Sequence, residues 1–166
     1  PATAFKGHVH KGRVWWIERT NKMLATHSAL NAIEDYTTAN NAGYIDFKYV
    51  LKEGDELTDI YTASNGNIVF LFKNHIVVYS GTTPSGTGSD FVMVQMIKGA
   101  GSITDGTIQE LGVDAAFASY GGVRSLNQVI TTGDLSVNNV SENIDPTLTA
   151  TLKSGSRFAS AHYAKY

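Results

Sequence analysis

Two apolar runs parted by a two-residue polar break, residues 67–73 and 75–80, dominate the hydrophobic pattern of this chain. The first, from Asn67 to Lys73, is almost continuously apolar through Ile68, Val69, Phe70, Leu71 and Phe72. After Lys73-Asn74 the second resumes with His75, Ile76, Val77, Val78 and Tyr79. Neither run alternates with polar residues, so both predict strands covered on their two faces, joined as a hairpin. The same device occurs twice more. Residues 13–18 meet a break at 19–22 and return as 23–28. Residues 114–120 meet Gly121-Gly122 and return as 123–127, with the glycine pair supplying the positive φ that a two-residue hairpin turn needs. Turn to turn, the hairpins recur at roughly 50 residues, a period expected of four-stranded propeller blades.

The intervening segments fill out this scheme. Residues 2–10 predict a first, inner strand. Residues 29–41 are polar and read as a loop with one helical turn at 32–36. Residues 43–51 alternate, with Tyr44, Asp46, Lys48 and Val50 on one side and Ile45, Phe47, Tyr49 and Leu51 on the other, predicting a half-exposed outer strand. After a charged turn at 52–56, residues 57–63 open a second blade. Residues 82–89 form a flexible loop, and 90–97 close that blade. A Gly-rich turn at 98–106 leads to a third blade that opens at 107–112. Residues 133–140 carry no clear period. Asp145 as cap, Pro146 at the first position and Gly155 beyond the end predict a short helix, with Ile144, Leu148 and Leu152 on one face. Residues 157–166 alternate and read as the opening strand of a fourth blade.

The expected fold is therefore all-β: a propeller-like array of about three four-stranded antiparallel blades plus the first strand of a fourth, in one domain spanning 1–166. Three blades and a strand do not close a propeller. The expectation is thus an incomplete portion of a larger propeller-containing protein.

Composition narrows the function classes. In 166 residues, 42% are hydrophobic and only 17% charged, so much of the surface is expected to be covered in an assembly. A net charge of −2 lacks the basic excess that grips phosphates. There is no cysteine, hence no disulfide framework and no thiolate chemistry. No apolar run reaches membrane-span length.

Candidate chemistry is sparse. His8 and His10 share a strand face and could approach one metal, with His27 as a third ligand through the hairpin; hydrogen-bonded histidines are the plainer reading. Glu34-Asp35 and Asp55-Glu56 could be paired carboxylates for glycoside cleavage or calcium ligands, but both pairs lie in turns, where solvated charge is expected. Ser28, Ser80 and Ser119 lack a nucleophile-elbow context. Gly86-Thr-Gly88 and Gly99-Ala-Gly101 lack the Lys-Ser/Thr of a phosphate loop. Trp15 and Trp16, adjacent on a strand, face opposite ways: one fills the core between blades and the other sits at a surface, where it could contact a sugar or partner. Arg13 and Arg124 flank hairpins at comparable places and could meet DNA phosphates or, preferably, carboxylates between blades. No catalytic, cofactor or metal residue is assigned.

Several stretches occur in an order that resembles the tail-hub or nozzle proteins of short-tailed bacteriophages, the group that includes the packaged-DNA stabilisation proteins. These are His10-Lys-Gly-Arg-Val-Trp-Trp-Ile17, Ala25-Thr-His-Ser28, Ile33-Glu-Asp-Tyr-Thr-Thr-Ala-Asn40, Gly54-Asp-Glu-Leu-Thr-Asp-Ile60, the hairpin from Gly66 to Tyr79, Gly112-Val-Asp-Ala-Ala-Phe117 with Gly122-Val-Arg-Ser-Leu126, Gly133-Asp-Leu135, and Val140-Ser-Glu-Asn-Ile-Asp-Pro146. The resemblance spans roughly residues 6–166, and its members are much longer chains. It implies a non-enzymatic virion protein of the tail, assembled in the host cytoplasm. Its partners would be copies of itself in a ring, portal or adaptor proteins, tail fibre or needle proteins, and double-stranded DNA passing without tight binding. No membrane and no cofactor are implied. A second function from another class is a carbohydrate-binding or glycoside-cleaving propeller using Trp15 or Trp16 with Glu34 and Asp35. A third is a scaffold propeller for peptide or protein partners. Convergent acids beside an open aromatic would favour the carbohydrate reading.

Overall fold

The computed structural model describes residues 4–51, 54–134, 139–141, 143 and 145–154. It is mostly β, with 43% strand and 16% helix, arranged as three antiparallel sheets and no closed barrel. The first sheet runs in the order β1 (Ala4–His10), β2 (Arg13–Glu18), β3 (Leu24–His27) and β4 (Gly43–Asp46). The second runs β5 (Leu57–Thr62), β6 (Ile68–Phe72), β7 (His75–Ser80) and β8 (Val92–Lys98). The third is β9 (Gln109–Leu111), β10 (Asp114–Ser119) and β11 (Gly122–Ser125). All three sequence hairpins are present, as β2–β3, β6–β7 and β10–β11.

The second sheet lies between two cores. Ile68, Phe70, Phe72, Val77 and Tyr79 pack with Trp15, Ile17, Ala25 and Phe47 of the first sheet's side. Val69, Leu71, Ile76 and Val78 pack with Ala115 and Phe117 of the third. Every residue of β6 is buried. Alternating side chains leave a strand on opposite faces, so a continuous apolar run is what a strand needs when both faces are covered. Full burial of one such side chain stabilises by about 1.5–3 kcal/mol, so β6 anchors both cores.

Turn chemistry closes the sheets. β1 meets β2 through Lys11 and Gly12, both at positive φ (45° and 74°), the two-residue geometry whose twist matches the flanking strands. At the third hairpin the strands end at Ser119 and resume at Gly122, so the turn is Tyr120-Gly121 rather than the glycine pair. Ser119 Oγ accepts from the Gly121 N–H and donates to the Gly122 carbonyl, which sets this register.

Three expectations are revised. The outer strand expected over 43–51 stops at Asp46. That side chain accepts from the Lys48 N–H and starts a 3-10 turn, Phe47–Tyr49. A local side-chain bond has outcompeted the ladder, and it sends Phe47 into the core against Phe70 and Phe72, ring centroids 4.9 Å from each. In the loop over 29–41 the helical turn is a 3-10 turn at Thr38–Asn40, beyond the expected 32–36. The third sheet has three strands among the described residues, not four: the chain leaves β11 directly into α1 (Leu126–Thr132), so the fold is mostly rather than wholly β. Ser125 caps α1 by accepting from the Gln128 N–H, and Gly133 ends it at φ 71°. Asn139 makes a single antiparallel bridge to Arg124 where a fourth strand would lie. The helix expected over 145–155 is present as α2 (Asp145–Ser154), with Leu152 buried. The expected strand over 157–166 lies outside the described residues.

Candidate functional site

The polar groups of the first two sheets gather along the seam where β1 and β2 meet β5. β1 contributes Lys6, His8 and His10; β5 contributes Asp59 and Thr62. The Asp59 side chain is 1% exposed and pairs with the Lys6 ammonium. It also accepts from the Ile60 N–H at 2.9 Å. Burial pushes the Asp59 carboxyl above its ordinary value, while the Lys6 charge opposes that shift.

His8 Nε2 and His10 Nδ1 both reach Thr62 Oγ1, at 2.8 and 2.9 Å. A hydroxyl donates once and accepts twice, so one oxygen serves two neutral imidazoles by donating to one and accepting from the other. Burial, then the nearby Lys6 charge, lowers the pKa of His8. Burial, then Lys11 and His8, pushes His10 down to about 4. An open pocket of about 380 Å³ lies alongside, lined by His8, His10, Tyr61, Thr62 and Glu110 among others.

The sequence places His8 and His10 together, as observed, but His27 does not join them. In the sheet register His8 stands opposite Trp15 and Trp15 opposite His27, so the indole separates the two imidazoles. His27 is fully buried, packs on Trp15 at 4.7 Å and has Nδ1 3.0 Å from the Ser28 carbonyl oxygen. Among the described residues no three metal-ligating side chains converge.

Trp15 and Trp16 do face opposite ways, and both are covered, at 1% and 3% exposure. Trp15 packs in the seam against Phe70 and Phe91. Trp16, on the outer face, is closed off edge-on by Tyr36, and its indole N–H donates to Glu18. Neither presents an open ring to a sugar. The acids beside Tyr36 are separate from this contact. Asp35 accepts from the Thr37 N–H and hydroxyl and from Asn40, and these bonds hold its carboxyl below the usual range. Glu34 is exposed and lines a shallow pocket of about 530 Å³ with Asp35.

The second acidic pair ties turns together. The Asp55 carboxylate accepts from the Asn74 N–H and lies 2.8 Å from His75 Nδ1, fixing the β6–β7 turn. Glu56 takes Lys22 and Lys73, and the Lys73 bond leads in lowering its pKa.

The arginines are occupied by backbone. Arg13 is 4% exposed and donates from Nη1 to the carbonyls of Ser28 and Asn41 at 2.7 and 2.8 Å. Arg124 donates to the Gly121 carbonyl across its own turn. Among the described residues neither pairs with a carboxylate, which corrects the preferred expectation. A guanidinium holds several donors in a rigid fork, so carbonyls around a buried turn suffice to hold it.

Arg13 also links two loops that the sequence leaves unconnected. The Asn41 carbonyl accepts both Arg13 and the Ser85 hydroxyl, the latter at 3.0 Å. A side chain at Gly86 would meet Asn41 Oδ1 at 2.2 Å, so the loops over 29–42 and 82–90 lie in close contact. Leu30, Ile33 and Tyr36 are exposed beside this junction.

Sequence reasoning missed Lys6, Asp59, Thr62, Asn41 and Ser85. Asp59 alone carried a signal, as a charge within an otherwise buried-looking strand. Thr62 and Asn41 carried none, because their partners lie 52–54 and 28 positions away. Among the described residues no helix is long and apolar enough to cross a membrane. Comparison with known protein families, with characterised proteins and with solved structures returned no match.

Proposed function

We propose that the chain is a structural portion of a short-tailed phage tail hub or nozzle, with its three sheets as successive blades of a propeller-like array. One observation carries this reading: a middle sheet whose central strands β6 and β7 are buried on both faces between two other sheets, built from hairpins spaced about 50 residues apart. Such a stack is rigid because each sheet clamps the next. Its mechanism is geometric. Copies form a ring of stiff segments below the portal, the joined loops over 29–42 and 82–90 offer contact surface to neighbouring virion proteins, and DNA leaves along the axis.

The placement of charge supports a conduit that releases its cargo. The net charge is −2, and Arg13 and Arg124 are held against backbone carbonyls. A channel without a basic stripe does not retain a polyanion. The carbohydrate reading loses its platform with both tryptophans covered.

Electron microscopy of the full gene product, with the identity of the neighbouring genes, tests the proposal. A discrete ring with an axial channel, encoded among portal and packaging genes, is the expected result. A full-length monomer encoded among metabolic genes overturns it.

A further inference from the structure

β1 is held in place differently from its neighbour β2. Along β2 most side chains are buried, Arg13, Trp15, Trp16 and Ile17 among them. Along β1 only His10 is buried, and the residues before it are half-buried or exposed. Phe5 adds partial apolar cover. Little apolar area therefore fixes β1, and polar side chains do more of the holding. Lys6, His8 and His10 stand at every second position, on one face of the strand. All three cross to β5: Lys6 to Asp59, and both imidazoles to the Thr62 hydroxyl.

That sharing suits neutral rings only. Among the described residues, His10 Nε2 is buried with no hydrogen-bond partner. Orphaned buried N–H groups are the rarer kind, which assigns the His10 proton to Nδ1. His10 then donates to Thr62, and Thr62 donates to His8 Nε2. A second proton on His10 lands on Nε2, where a charged donor is buried without an acceptor, and such a group is costly. A second proton on His8 lands on Nε2, so Thr62 must turn its hydrogen away and face two cations that share one oxygen. In a released strand, water meets every one of these groups. The open pocket lined by His8, His10 and Thr62 already brings water to their side. The groups around the pair are Lys6 and Lys11 on the same hairpin, Arg13 opposite His10 in the β1–β2 register, Asp59 and Tyr61 on β5, Glu110 on β9 across the pocket, and Asp114 beyond Tyr61. Lys6 repels charge on His8, and Lys11 repels charge on His10. Asp59 is engaged by Lys6 and opposes release, because a buried carboxyl is easier to hold once protonated. Glu110 is exposed, where its attraction is screened. His27 and His75 are held elsewhere, against Trp15 and Asp55.

We propose that β1 is an acid-released strand: protonation of His8 and His10 frees it from β5 and loosens its ladder with β2, while β2 and the sheets behind it stay packed. The release is local because β2, β6 and β7 keep their apolar cores, and segments with few buried contacts open first. The folded rings bind protons less readily than the released ones. Release therefore sets in as pH falls below about 6.5 and grows toward about 4. None of this depends on the tail reading, since it concerns one chain and no partner.

Hydrogen exchange of the full chain, resolved by residue and corrected for the intrinsic effect of pH, tests the proposal. From pH 7 to pH 5, protection of the β1 amides bonded to β2 is expected to fall on the order of tenfold, to a level well below that of β10. In the double variant His8→Gln with His10→Gln, which keeps polar side chains but cannot titrate, the fall in β1 is expected to vanish. Should that variant fail to fold at pH 7, NMR titration of the unmodified chain decides: the loss of β1 protection is expected to follow the ring signals of His8 and His10. Unchanged β1 protection at pH 5, equal protection of β1 and β10 at that pH, a fall that persists in the double variant, or a loss out of step with those ring signals overturns the proposal.

Discussion

The two seams of this molecule are built differently from one shared sheet. The seam between the first and second sheets is aromatic: Trp15, Phe47, Phe70, Phe72 and Tyr79 interlock, and Phe91 stacks on both Trp15 and Tyr79. Its margin carries Lys6 with Asp59, and His8 and His10 with Thr62. The seam between the second and third sheets is chiefly aliphatic: Val69, Leu71, Ile76, Val78, Ile97, Leu126 and Val129 surround Phe117. The contrast separates two ways of holding sheets together. Aliphatic packing is insensitive to pH. The aromatic seam carries His8, His10 and Asp59 at its margin, and those residues make it responsive to protons.

Truncating β6 on either face breaks the comparison most forcefully. Phe70→Ala opens the aromatic seam and is expected to cost about 3–5 kcal/mol, against about 2–5 kcal/mol for Leu71→Ala in the aliphatic one. Urea unfolding of both variants measures the difference. If Phe70→Ala costs less than 1 kcal/mol, the first seam is not a packed core.

Thr62→Val comes next. It keeps the shape of the side chain but leaves two imidazoles without their shared hydroxyl. The expected cost is about 1–3 kcal/mol, the usual penalty for stranding buried polar groups. The same change at Thr131, exposed on α1, serves as the reference and is expected to shift stability by less than about 0.5 kcal/mol.

The third prediction uses pH. His8 and His10 lie at the margin of the aromatic seam and His27 packs on its Trp15, and burial leads in lowering each pKa below 6.5. In the folded chain they bind protons less readily than in the unfolded chain. Stability is therefore expected to fall as pH drops below about 6.5, continuing toward pH 4 as His10 titrates. Asp59 acts in the opposite sense. Its raised pKa favours the fold at low pH, and this contribution is lost as pH rises through the folded value. Thermal melts from pH 7 to 4.5 should show a net decline that His10→Gln makes shallower. An unchanged slope in that variant removes His10 as a contributor.

The smallest effect sharpens the comparison by leaving both seams alone. Glu34→Gln changes an exposed carboxylate and is expected to alter stability by no more than about 0.5 kcal/mol. The same variant probes the loop surface: an acidic contact with any protein bound there would weaken in a binding assay without any change in the melt.

Much of the architecture was legible because it depends on short-range pattern. The runs over 67–73 and 75–80 had no polar face, so they required cover on both sides, and β6 and β7 are buried that way. The residue pair at 15 and 16 had to point in opposite directions. Where local alternatives competed, pattern failed. Asp46 could cap a turn as readily as continue a strand, and Ser125 could start a helix as readily as end a hairpin.

By itself the sequence determined the three hairpins, their spacing, and that the strands over 67–73 and 75–80 would be covered on both faces. These follow from side-chain periodicity along a single strand. Only the tertiary structure decided that His8 and His10 would share Thr62, that Lys6 would meet Asp59, and that Arg13 would bind carbonyls instead of carboxylates. Those partners come from different sheets or from loops distant in the chain. Nothing in the local pattern of one strand encodes which neighbour a packed sheet will place against it.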